Sequence, residues 1–135
     1  MNKELEKLSN CLHWSEENFY FDLVNNLIKN KKININSQKN NGNTLLHTAV
    51  SRKLINRIKF FLENNIDINI QNSYGKTSLH IALLDPNEEI IKLLVDFESD
   101  FTIIQKDKLT AIHLACRTCN LDTIKYIFSK KNISF

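Results

Sequence analysis

Glycine and proline are nearly missing from this sequence: its 135 residues include two of the first and one of the second. Those residues ordinarily punctuate a chain, so its turns must be found from other spacings. Cysteine is also scarce, three in all, an odd number in a chain without a charged-then-apolar leader of the secretory kind. That argues against a secreted disulfide framework and for a reducing, cytoplasmic setting, in the producing cell or in a host cell. No apolar run approaches the ~18 residues that cross a bilayer, so no membrane partner is expected. Charge of one sign is lacking too. Eighteen basic residues against 15 acidic ones leave a formal net charge of +3, and the signs alternate along the chain. Without a basic stripe interleaved with aromatics, no nucleic-acid partner is expected. In abundance instead are Asn, Lys and Ile, whose codons are rich in A and T. The 42% of hydrophobic residues suffices for the core of one domain.

An internal repeat organises the whole chain. Aligning "NGNTLLHTAV" (41–50), "SYGKTSLHIAL" (73–83) and "KDKLTAIHLAC" (106–116) places Thr44, Thr77 and Thr110 at steps of 33 residues. His47, His80 and His113 follow three residues after each threonine, and Ala49, Ala82 and Ala115 two residues after each histidine. Downstream, Ile58, Ile91 and Ile124 keep the same step of 33. A weaker copy lies at the N-terminus, where His13 precedes His47 by 34 residues and Val24 takes the place of Ile58. Since "ININ" (33–36) and "IDIN" (66–69) are 33 apart, the first copy carries one extra residue, expected among Lys29 to Lys32. Four units result, approximately 1–38, 39–71, 72–104 and 105–135 of a single domain. Ile55, Ile58, Phe61 and Leu62 recur at helical spacing, as do Ile91, Leu94 and Val95. Neither helix of a unit is long enough to persist alone, so neighbouring units must stack.

These residues resemble the ankyrin-repeat family. The resemblance is carried by Gly42-Asn43-Thr44-Leu45-Leu46-His47-Thr48-Ala49, by Gly75-Lys76-Thr77-Ser78-Leu79-His80-Ile81-Ala82 and by Asn65-Ile66-Asp67-Ile68-Asn69. It covers essentially the whole chain. The family's proline is replaced by Leu45, Ser78 and Ala111, the turn glycine of the last unit by Lys108, and the inter-helix glycine by Lys53, Pro86 and Cys119. The resemblance implies an all-α solenoid of about four stacked helix-turn-helix units joined by hairpin-like loops.

Four histidines at one repeat position invite a metal or catalytic reading, and spacing argues against both. Ligand atoms sit about 2 Å from a zinc ion, whereas equivalent residues on packed helices lie roughly 8–10 Å apart. The Thr-x-x-His spacing instead fits a capping box, with Thr77 at the N-cap and His80 reaching back from the third helical position. Cys116-Arg117-Thr118-Cys119 has the Cys-x-x-Cys form, but Cys116 falls in register with Val50 and Leu83 at an apolar core position and Cys119 at the inter-helix turn. No catalytic residue, metal ligand or cofactor is assigned, and an enzyme or metal-binding protein is kept only as a remote alternative. "KNKK" (29–32) and "SKK" (129–131) close second helices, where cations complement the helix dipole.

What remains is a surface. The resemblance implies a non-enzymatic protein-protein interaction module that binds a protein partner through its concave face, made of turn tips and first helices. In this register the candidates are Asn41, Asn43, Ser73, Tyr74, Lys76, Lys106, Asp107 and Leu109 at the tips, with Arg52, Asp85 and Arg117 on the helices. Beside them lie Asn40, Ser51, Leu84 and Thr118. Tyr74 and Arg117 are of the types enriched at interface hot spots. An alternative of the same kind is a small host-directed decoy or adaptor of a virus or intracellular parasite, which the composition and the repeat-only chain would suit. At the ends, Trp14 is expected to be at least two-thirds buried against the second unit. Tyr126, Ile127 and Phe128 are expected on or near an end that nothing in the chain covers, so that the last unit either frays or is covered by a partner or a second copy. A monomer is expected, with end-to-end association through the C-terminal unit as the other possibility.

Overall fold

Each threonine of the repeat opens a helix. The computed structural model describes residues 17–131, with α1 at Glu17–Lys29, α2 at Leu45–Ser51, α3 at Ile55–Glu63, α4 at Ser78–Leu84, α5 at Glu88–Asp96, α6 at Ala111–Thr118 and α7 at Leu121–Lys131. Cys11, His13, Trp14 and the closing "NISF" lie outside the described residues, and with them the expectation for Trp14. No strand occurs among the described residues. The all-α architecture expected from the repeat is the one observed. First helices α2, α4 and α6 pack in one row, and second helices α3, α5 and α7 in a parallel row.

Local chemistry sets the helix ends. Thr44, Thr77 and Thr110 are N-caps with extended backbone. The second helices start at one repeat position with Leu54, Asn87 and Asn120. Asn87 Oδ1 accepts from Ile90 N–H at 3.2 Å and Asn120 Oδ1 from Thr123 N–H at 2.9 Å, whereas Leu54 offers no side-chain cap. Lys53, φ 58°, ends α2 in the left-handed conformation that the family gives to glycine. Pro86 ends α4 by holding Asp85 out of the helical region, at φ −137° and ψ 80°. Asn65 and Glu98, also left-handed, close α3 and α5.

Between pairs, the chain makes one tight turn per repeat, and successive turns are joined. Gly42, Gly75 and Lys108 N–H groups donate to Lys39, Asn72 and Gln105 carbonyls at 2.8, 2.9 and 2.9 Å. Ser73 N–H then donates to Asn41 O, and Lys106 N–H to Tyr74 O, both at 3.0 Å. The two glycines stand where this approach is closest. A Cβ on Gly42 would lie 2.5 Å from Ser73 N, and one on Gly75 2.9 Å from Lys106 N, at φ of +80° and +76°. Lys108 holds the same conformation at φ 69°; no described turn stacks on it. The extra residue of the first copy also finds its place. Left-handed Lys31 precedes its counterpart Asn65 by 34 residues, while the carboxamide of Asn34 and carboxylate of Asp67, 33 apart, close equivalent turns onto Asn36 and Asn69 N–H. Ile33 and Ile66 are both buried, so the added residue is exposed Lys32, within the expected span.

The apolar stripes meet between the two helix rows. Val24, Ile58, Phe61, Leu79, Leu83, Ile91 and Leu94 are all fully buried. Arg57, occupying the position of Ile90 and Thr123, is the unexpected core member at 2% exposure, its guanidinium lying 3.7 Å from the Tyr20 ring centroid. Phe21 and Phe60 stack beside it at 4.6 Å. At the C-terminal end two expectations are corrected. Ile127 is only 1% exposed, because it takes the inward position of Phe61 and Leu94, so the end of the last unit is apolar only in part. Cys116 is exposed rather than a core residue. Val50 and Leu83 at that position are buried by the pair stacked beyond them, and no described residues stack beyond α6.

Candidate functional site

His47 and His80 are fully committed to the fold. Thr77 N–H donates to His80 Nδ1 at 3.0 Å, and His80 N–H lies 3.4 Å from Thr77 Oγ1. An Nδ1 that accepts from an amide carries no proton, which leaves Nε2 as the donor of the neutral ring. That donor meets Ile103 O, on the stretch that leads into the next turn, at 3.1 Å, and His47 Nε2 meets Lys76 O of the following unit at 2.9 Å. Each ring therefore both caps its own helix and ties it to the backbone at or just before the following turn. Burial lowers the pKa of His47 and of His80, more than the raising effect of these carbonyl contacts. A ring held this way has neither a lone pair for a metal nor a proton to exchange with substrate. The capping box was legible in the sequence; the strut to the next repeat was not.

Two further polar ladders escaped the sequence reading. Gln38 Nε2 donates to Gly42 O and Gln71 O, and Gln71 Nε2 donates to Gly75 O and Ile104 O. Asn36 and Asn69 accept from Asp67 and Asp100 N–H. The signal was present in both cases, as Gln or Asn recurring at 33-residue spacing.

The candidate partner-binding residues divide in two. Several spend their polar atoms inside the turns. Asn41 Oδ1 accepts from Asn43 N–H at 3.0 Å, Asn43 Oδ1 accepts from Asn72 at 2.9 Å, and Asp107 Oδ1 accepts from Leu109 N–H at 3.1 Å and from Gln105 at 2.7 Å. The Leu109 amide, followed by the Gln105 side chain, holds the Asp107 carboxyl below its usual range. Leu109 packs partly against the core. The others project. Tyr74 is 66% exposed and Leu84 is 49% exposed, while Ser73, Arg52, Lys106 and Arg117 are exposed; Lys76 is half-buried. Asp85 is exposed and pairs with Lys53 at 2.9 Å, a link between adjacent helix ends that the sequence did not disclose. Thr118 turns inward, its hydroxyl donating to Leu83 O at 2.6 Å.

The opposite side is occupied by charge pairs. An open groove is lined by Lys59, Glu88, Glu89, Lys92, Leu93 and Asp96. Across it Lys92 pairs with Glu88 at 2.9 Å and Lys59 with Glu89 at 3.8 Å. Tyr126 donates its hydroxyl to Asp96, and that bond pushes the phenol up to about 12. Burial raises the Cys119 thiol, which makes it a poor nucleophile. Among the described residues no group of three or more His, Cys, Asp or Glu side chains is placed to hold a metal ion, and no helix is long and apolar enough to cross a membrane.

A family model described as ankyrin repeats, in three copies, matches residues 12–103 and 56–135. No curated protein matches the chain.

Proposed function

The chain belongs to the ankyrin-repeat family, and from that premise we propose that it is a protein-interaction module that performs no reaction of its own and binds another protein through its turn tips and the exposed ends of its first helices. The observation that carries this reading is a division of labour by repeat position. Residues that recur from unit to unit, such as the Thr-His boxes of the last three units, are spent on capping and stacking. Several residues that differ from unit to unit project from the tips and helix ends, and among the described residues Tyr74 is the most exposed large apolar side chain. A large exposed aromatic on an ordered turn is the sort of anchor that concentrates binding energy.

The test pairs two substitutions with a pull-down on the intact chain and a binding isotherm for the captured protein. Tyr74→Ala is expected to weaken the complex about tenfold or more, roughly 1.4 kcal/mol, while leaving the melting curve in place. His80→Ala is expected to lower the melting temperature and leave affinity nearly unchanged where the protein stays folded. If His80→Ala abolished binding without moving the melting temperature, the assignment of roles would be reversed.

A further inference from the structure

The tip-and-helix face differs between its two halves. In the second unit it presents Asn40, Asn41, Asn43, Ser51 and Arg52, with no apolar side chain among them and two of the carboxamides already bonded within the fold. In the third and fourth units the same positions bring Tyr74 and Leu84 together with Lys76, Lys106 and Arg117. The adjacency of these residues is fixed by bonds. Lys106 N–H donates to Tyr74 O, which joins the two tips, and Thr118 donates to Leu83 O, which joins the two helix ends. Along the third unit Tyr74 precedes α4 and Leu84 ends it, so the two stand toward opposite ends of a seven-residue helix about 10 Å long. The two carboxylates at face positions are both engaged: Asp85 with Lys53, and Asp107 with the Leu109 amide and Gln105. Among the described residues Lys106 and Arg117 have no carboxylate within ion-pair distance, while Lys76 acts on the Asp107 carboxyl at longer range. On the α3–α5 side, by contrast, Lys59 and Lys92 are matched by Glu89 and Glu88.

We propose that the third and fourth units dock an acidic segment of a partner protein that carries a bulky apolar side chain, the apolar group seated between Tyr74 and Leu84 and the carboxylates meeting Lys76, Lys106 and Arg117. The face offers charge complementarity around an apolar centre. Two exposed apolar side chains one helix-length apart offer a contact that water does not favour, and unmatched cations on its rim select an anionic partner and speed its approach. Arg117 adds a planar donor suited to a carboxylate. This inference rests on the interaction-module reading above and specifies the chemistry of the partner.

A displayed library of random 12-residue peptides, selected on the intact chain, tests it. The recovered peptides are expected to be enriched in Asp and Glu around one Leu or aromatic residue. A synthetic copy of the strongest is expected to bind the Lys106→Glu/Arg117→Glu variant at least tenfold more weakly, with melting curves confirming that the variant is folded. Lys59→Glu/Lys92→Glu makes the same change in net charge on the other side and is expected to leave affinity within about twofold. Neutral or basic peptides, an empty selection, or equal loss in both double variants would overturn the proposal. Acidic peptides that bind but are insensitive to both Tyr74→Ala and Lys106→Glu/Arg117→Glu would overturn the proposed face itself, and so count against the broader reading.

Discussion

The α4 and α6 pairs begin with the same motif and end in different environments. Thr77 and His80 make a capping box with a 3.0 Å amide-to-ring bond, and Thr110 and His113 make one at 3.2 Å. Yet His80 is fully buried and bonded onward to Ile103, whereas His113 is exposed. The same contrast separates Leu83 from Cys116, and Val95 and Leu62 from half-buried Phe128. The lesson is that the motif alone closes the helix, while burial is supplied by the neighbour. Stability in such a stack is therefore a sum of local terms, present in every unit, and interface terms, present only where a further unit packs.

That separation can be broken most forcefully in the core. Phe61→Ala removes a fully buried ring and is expected to cost ~3–5 kcal/mol, measured by denaturant unfolding. Phe128→Ala, at a half-buried position of the last pair, is expected to cost under ~2 kcal/mol. Comparable losses would show that the last unit is as well covered as the inner ones. Turn glycines give the next largest effect. Gly42→Ala sets a Cβ against Ser73 N at φ +80° and is expected to cost roughly 3 kcal/mol. The reciprocal change, Lys108→Gly, relieves the left-handed conformation without any described turn above it and is expected to move stability by less than ~1 kcal/mol. The smallest effect belongs to the surface pair: Lys53→Ala is expected to change stability by under ~1 kcal/mol and to lose that effect in high salt, since both partners are well exposed.

Spacing disclosed what recurs locally. The Thr-x-x-His boxes, the apolar stripes and the position of Lys32 follow from a period of 33 and from helix geometry within one unit. Long-range contacts were harder to see, because they join residues 23 to 35 positions apart and, although some donors recur at 33-residue spacing, their backbone carbonyl acceptors have no signature in the side-chain sequence. The His80 strut to Ile103 and the Gln71 bond to Ile104 are of this kind. Arg57 was missed for a different reason: a cation at an apolar register position looks solvated until the Tyr20 ring is placed over it. Cys116 was misplaced because register assigns it the burial of inner units, and burial is not local.

His47 and His80 serve as cap and strut at once, and ring-nitrogen NMR during a pH titration tests this most directly. Between the ordinary histidine pKa of 6.5 and the lowered values in the fold, the unfolded chain takes up protons that His47 and His80 refuse. Stability is therefore complete above about pH 6.5 and falls as the pH drops below it, toward the folded-state values. The expected result is that both rings carry their proton on Nε2, accept at Nδ1, and stay neutral below pH 6.5. A proton on Nδ1 in either ring, or titration at or above 6.5, would contradict it.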